Sequence, residues 1–250
     1  MRVMKQRGFT IIETILFLAV TGILTVSIMV GAGVAINMQR YKDAVATLQS
    51  DIQQQYEDAV SIKNSRENLS TVPGCAGGRG QTECILMGNL MTIGYNGNVV
   101  QHVVYGTEPS SAALDDTVTN EYDIMKAYNP RVVPVTTQNT SLEWGTGIAW
   151  PTSGTDPEVR PPGTSRDIGI LVIRSPRSGI VYTFTRDDAV TTNLADIVDV
   201  ARRNVRTICV RSTGWVTDRN QMSITIAAGA SSASGVQVRT NDMTRAEFEC

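Results

Sequence analysis

The chain has 250 residues, 42% of them hydrophobic and 18% charged, with 22 Lys plus Arg against 24 Asp plus Glu for a net charge of −2. This is enough apolar material for a core in one or two domains, and the charge content is below the roughly 25% of ordinary soluble chains. The near balance excludes a strong overall field of the kind that gathers polyanions, leaving a local basic patch as the route to nucleic acid.

The apolar residues are concentrated at the start. Phe9 to Ile36 is a run of 28 residues whose one formal charge is Glu13. As a helix it rises ~42 Å, more than the roughly 30 Å hydrocarbon core of a bilayer. Arg2, Lys5 and Arg7 precede the run, which predicts a cytoplasmic N-terminus with the remainder outside; Arg40 and Lys42 beyond it weaken the asymmetry slightly. A secretory signal has an apolar region of only about 7–15 residues, so the run is too long for one, although Gly31-Ala32-Gly33-Val34-Ala35 has the small residues of a cleavage site. A plain anchor explains the length and the flanking charges but not Glu13. An acid inside the membrane costs about 2.5–3.5 kcal/mol on insertion scales, less where the side chain snorkels near the end of the run.

The stretch Gly8-Phe9-Thr10-Ile11-Ile12-Glu13, preceded by a short basic leader and followed by the long apolar run, resembles the cleavage site of type IV prepilins and type II secretion pseudopilins. The resemblance implies that a membrane-embedded prepilin peptidase removes Met1–Gly8, that Phe9 becomes the N-methylated first residue, and that Glu13 stands fifth in the mature chain. Cleavage creates a positive amine at Phe9, and a charge at the edge of hydrocarbon is tolerable only when paired. Pairing the amine of one subunit with Glu13 of a neighbour would then favour one stagger between subunits. Gly22 matches a glycine common in pilins. Val30 holds the place where major pilins usually carry Pro, which points to a minor subunit.

The helix continues beyond the membrane. Met38, Tyr41, Val45, Leu48, Ile52, Tyr56 and Ala59 recur at steps of three or four, with Gln39, Asp43, Gln49, Gln53, Gln54 and Glu57 on the opposite face, an amphipathic period. One helix is predicted from Thr10 to Lys63. Its apolar stripe packs on the chain's own head domain in this reading; the alternative, a coiled coil, would have barely three heptads. The predicted organisation is therefore a leader over residues 1–8, a helix over 9–63 (transmembrane to 36, amphipathic from 37), and an extracytoplasmic, β-rich head over 64–250. The fold class is α+β, a long helix packed on an antiparallel sheet, which is also what the pilin resemblance implies.

In the head, strands are predicted at about Ile85–Ile93, Asn98–Tyr105, Ile168–Arg174, Ile180–Thr185, Val205–Arg211, Met222–Ala227 and Gly235–Arg239, from β-branched and aromatic runs bounded by turn residues. Asn96-Gly97 is a hairpin signal, and Ser175–Gly179 a second turn. Ala189–Ala201 and Thr244–Cys250 read as short helices. Gly106–Asn120 and Gly145–Arg166 read as loops. The head's resemblance to minor pilins and pseudopilins rests on element order and on the hairpin-like runs VIRSPRSGIVYTF and ICVRSTGWV.

The four cysteines, Cys75, Cys84, Cys209 and Cys250, allow three connectivities in an exported domain. Pairing Cys75 with Cys84 closes a short Gly-rich loop; pairing Cys209 with Cys250 ties the C-terminus to a strand, as in many pilins. Buried free thiols are the alternative, and the spacings contain no CxxC pair of the kind structural zinc uses. The inventory for catalysis is thin: one histidine, His102, and no G-x-S-x-G, so no catalytic residue, metal or cofactor is assigned. GCAGGRGQ lacks the Lys-Ser/Thr of a phosphate loop. Asp115-Asp116 and Asp187-Asp188 read as solvated turn residues rather than calcium ligands, and Arg202, Arg203, Arg206 and Arg211 as a solvated face rather than a phosphate contact. Trp144, Trp150 and Trp215 read as core residues or partner anchors.

The expected function is structural, not enzymatic: a pilin-like subunit of a type IV filament or of a secretion or DNA-uptake pseudopilus. It would sit as a single-pass inner-membrane protein before assembly and in a surface filament or pseudopilus after it. The partners implied are prepilin peptidase, other pilin subunits met through the N-terminal helix, the membrane and the assembly platform; nucleic acid has no support. The alternative is a membrane-anchored extracellular binding protein or adhesin that does not polymerise.

Overall fold

The computed structural model describes residues 10–61, 72, 75, 82–109, 120–133, 138–151, 153–154, 164, 166–187, 194–212, 221–240 and 248–250. Residues up to Arg40 form one compact unit and Tyr41–Cys250 a second.

Helix α1 spans Ile11–Ser61. No Pro or Gly breaks it beyond Gly33. In the first unit every residue from Ile11 to Arg40 is exposed or only partly covered, with Ile11 and Ile28 more than two-thirds exposed. From Tyr41 onward the character changes. Tyr41, Ala44, Val45, Leu48, Ile52, Gln55, Tyr56 and Ala59 are buried, the face expected from the sequence period with Ala44 and Gln55 added to it.

The strands form antiparallel sheets. β1 (Cys84–Ile93) and β2 (Asn98–Thr107) make a hairpin through Asn96-Gly97. A short helix α2 (Glu121–Ala127) follows, capped by Asn120, whose side chain accepts the Tyr122 amide. β3 (Arg131–Val132) and β4 (Gln138–Ser141) both pair with β2. β5 (Thr146–Ala149) and β6 (Ser153–Gly154) come next, then β7 (Ile168–Arg174) and β8 (Val181–Asp187), joined by the Ser175–Gly179 turn. β9 (Arg206–Ser212), β10 (Met222–Ile226), β11 (Val236–Thr240) and β12 (Phe248–Glu249) complete the order. Among the described residues the largest sheet runs β3-β2-β1-β7-β8 with β4 also on β2; a second runs β11-β10-β9-β5, and β12 pairs β6.

β7 is buried along Ile168–Ile173, so both its faces are covered, since side chains alternate. Leu171 and Ile173 join Met87, Leu90, Val104 and Phe184 in a cluster with Ile124 and Met125 of α2 and with Leu194, Ile197 and Val198.

Four expectations are corrected. Where Ala189–Ala201 was read as a helix, the described part holds separate 3-10 turns at Leu194–Asp196 and Val200–Arg202; Asp199 caps the second through the Ala201 amide, which starts a new turn instead of continuing the old one. Where Thr244–Cys250 was read as a helix, Phe248–Glu249 is a strand on β6, a pairing no local propensity encodes. The expected loop Gly145–Arg166 contains β5 and β6, and the expected loop Gly106–Asn120 begins with the end of β2.

Candidate functional site

The described chain begins at Thr10, so Gly8 and Phe9 lie outside the described residues. Thr10 caps α1. Its carbonyl accepts the amides of Glu13 and Thr14 at 3.1 and 3.2 Å, and its hydroxyl lies 3.4 Å from the Glu13 amide. Thr-x-x-Glu at a helix start is the capping-box pattern, a helix-start signal carried by the sequence itself. Glu13 is exposed, in the first turn, where the aligned peptide dipoles favour an anion by about 0.3–1 kcal/mol.

Farther along, the stem hides its polar groups. The hydroxyls of Thr14, Thr21, Thr25 and Ser27 donate to carbonyls three or four residues back. An apolar surface whose hydroxyls are satisfied internally is what hydrocarbon requires, since an unmet donor there costs several kcal/mol. Of the described helices, α1 alone is long and apolar enough to cross a membrane.

The second half of α1 is pinned within the head by side-chain hydrogen bonds. The Tyr41 hydroxyl donates to the Val210 carbonyl and accepts the Met222 amide, each at 2.7 Å. Val210 and Met222 face each other across β9 and β10, so the phenol is inserted into the ladder between them. Gln49 and Gln53 donate to the Val236 carbonyl at 3.2 Å, and Thr183 of β8 donates at 2.7 Å to the Ala230 carbonyl and lies 3.0 Å from the Tyr56 hydroxyl. Burial pushes the Tyr41 hydroxyl up to about 12, against the Met222 hydrogen bond acting the other way, and raises Tyr56 as well.

Cys75 is bonded to Cys84 and Cys209 to Cys250. The first bond starts β1; the second holds the last residue of the chain against β9.

Of the remaining candidates, Trp144 is exposed and several others are absorbed by packing. His102 on β2 is half-buried, and burial lowers its pKa. Asp187 accepts from Arg166 at 3.2 Å and pairs with Arg206 at 3.3 Å. Arg166 is itself fully buried, lies over Trp150 at 4.2 Å and donates to the Thr207 carbonyl, which links β8 to β9. Arg203 lies over the Tyr182 ring at 4.9 Å and donates to the Tyr122 hydroxyl at 2.6 Å. Arg203 and Arg206, expected on a solvated face, are instead built into the fold. No group of three or more metal-ligating side chains occurs among the described residues; Asp115, Asp116, Asp188 and Trp215 lie outside them. Comparison with family models, curated proteins and solved structures returned no match.

Proposed function

We propose that the chain is a pilin-like subunit, processed after Gly8 and assembled through α1 into a filament or pseudopilus. The observation that carries the reading is Glu13: an exposed carboxylate in the first turn of an apolar helix, none of whose residues 11–36 is buried by its own chain. A simple anchor gains only the helix-end term of about 0.3–1 kcal/mol from that acid, less than the roughly 2.5–3.5 kcal/mol an acid costs inside a membrane. In a bundle of such helices it has a partner, the amine freed at Phe9 of a neighbouring subunit. Removing either charge leaves the other unpaired in a low-dielectric setting, so the stagger that satisfies both is favoured. Val30, in the place where major pilins usually carry Pro, favours a minor subunit.

The test is incorporation into sheared filaments or isolated pseudopili. Glu13→Ala should leave membrane insertion and leader removal intact and lower incorporation at least tenfold. Equal incorporation of the variant would defeat the registration argument. A wild-type chain processed but never found with other pilin-like subunits would leave the anchored, non-polymerising binding protein as the better account.

A further inference from the structure

One corner of the head presents aromatic side chains to solvent from two hydrogen-bonded backbone segments. Tyr95, at the tip of the β1–β2 hairpin, is 57% exposed, and Trp144, in the turn between β4 and β5, is 51% exposed. The two segments are stitched together: Leu142 donates to the Gly97 carbonyl at 2.8 Å and Ile148 to the Tyr95 carbonyl at 3.3 Å. Their approach is so close that a Cβ on Gly97 would lie 2.2 Å from the Thr146 carbonyl oxygen, and one on Gly147 2.2 Å from that of Tyr95. Asp167 fixes the tip from the other side by accepting the Tyr95 amide at 2.9 Å.

Trp144 sits at φ 61, ψ 28, followed by Gly145 at φ 64. Two left-handed residues closed by the Thr146 amide on the Glu143 carbonyl make a type I′ turn, whose first central position ordinarily holds Asn, Asp or Gly. A bulky side chain there is strained. About half of this side chain is in solvent. Residues held in such sparsely populated conformations cluster at ligand-binding and active sites.

The neighbours define the ligand. Exposed Asn96 and Asn98 flank the hairpin tip, and Asn98 stands opposite Ser141 of β4, a strand of Gln, Asn, Thr and Ser exposed throughout. Among the described residues the charged side chains this corner exposes, Glu143 and Asp167, are both acidic, which disfavours a polyanion; Arg211, opposite Gly147, is half-buried. Flat aromatic faces beside amides, hydroxyls and carboxylates match a pyranose ring, which is apolar on its C–H faces and carries donor and acceptor hydroxyls at its rim. We propose that this corner, centred on Trp144 and Tyr95, binds a neutral glycan. The proposal does not depend on the reading of the N-terminal helix.

The test uses the full chain in a zwitterionic detergent free of sugar, titrated with cellohexaose, maltohexaose, xylohexaose and chitohexaose by calorimetry and by tryptophan fluorescence. At least one should bind. Trp144→Gly should weaken that binding about tenfold or more, the equivalent of ~1.4 kcal/mol, while leaving the melting temperature equal or higher because the turn is relieved. Tyr95→Ser should weaken binding without altering the fold. The proposal is overturned by no binding to any of the four glycans, by binding that Trp144→Gly leaves unchanged, by a Trp144→Gly chain that melts lower, or by binding confined to an anionic probe such as dextran sulfate. Self-association of the head lost in Trp144→Gly, with no glycan bound, would assign the corner to protein contact and overturn it as well.

Discussion

Tyr41→Phe removes one oxygen and leaves the ring in place. The ring is 1% exposed, so the substitution opens no cavity of consequence. The hydroxyl's two hydrogen bonds, both 2.7 Å, satisfy the Val210 carbonyl and the Met222 amide. Orphaning a buried backbone group costs about 1–3 kcal/mol. Val210 is buried and Met222 only half so, which places the total at about 2–4 kcal/mol, on the order of 10 °C in melting temperature for a unit of this size. Urea unfolding of the full chain in detergent, followed by near-ultraviolet circular dichroism, should show a lower midpoint at unchanged slope. Alkaline pH supplies an independent arm. Burial raises the Tyr41 pKa to about 12 from 10.0. The folded state therefore holds the proton more tightly than the unfolded state. The resulting stability is complete below pH 10 and falls away as pH rises towards 12, by about 2–3 kcal/mol. Tyr56, Tyr128 and Tyr182 are raised by burial and act in the same sense, so the informative quantity is the wild-type loss minus the variant loss. A destabilisation at neutral pH below about 0.5 kcal/mol, or identical alkaline losses in the two chains, would refute the bridging role.

Other perturbations test the head. Asp187→Asn leaves Arg166 and Arg206 without their shared carboxylate and should cost about 3 kcal/mol, whereas Arg166→Met, which leaves Asp187 paired with Arg206, should cost less; the reverse order in thermal melts would contradict the network. Reducing Cys209–Cys250, which closes a separation of 41 residues, should cost about 4 kcal/mol and Cys75–Cys84 about 3. A head whose melting temperature is indifferent to dithiothreitol would show that the bonds do not stabilise it.

Legibility varied with the range of the interaction involved. The stripe from Tyr41 to Ala59 was readable because a helix repeats every 3.6 residues and its large apolar side chains mark the face. Gln55 was not, since its burial depends on what packs there. The β1–β2 and β7–β8 hairpins were readable because Asn96-Gly97 and Ser175–Gly179 encode their turns locally. The pairing of β1 with β7, which joins Gly88 to Ile173, has no local code, nor do the brief strands β3, β4 and β6. Arg166 looked like the end of a loop; its burial follows from Trp150, Asp187 and Thr207 converging from distant segments. The Asn120 cap of α2 is written in the sequence, but a helix of seven residues is too short for its period to show. At the N-terminus Glu13 was conspicuous as a lone acid in an apolar run. In the aromatic corner nothing in one sequence separates the exposed Trp144 from the half-buried Trp150.

The central claim concerns covalent structure at the N-terminus, and mass spectrometry of the chain purified from its own membranes tests it most directly. The account predicts a mature chain that has lost Met1–Gly8 and begins with N-methylated Phe9. An intact Met1, or a chain cleaved near Ala35, would contradict it.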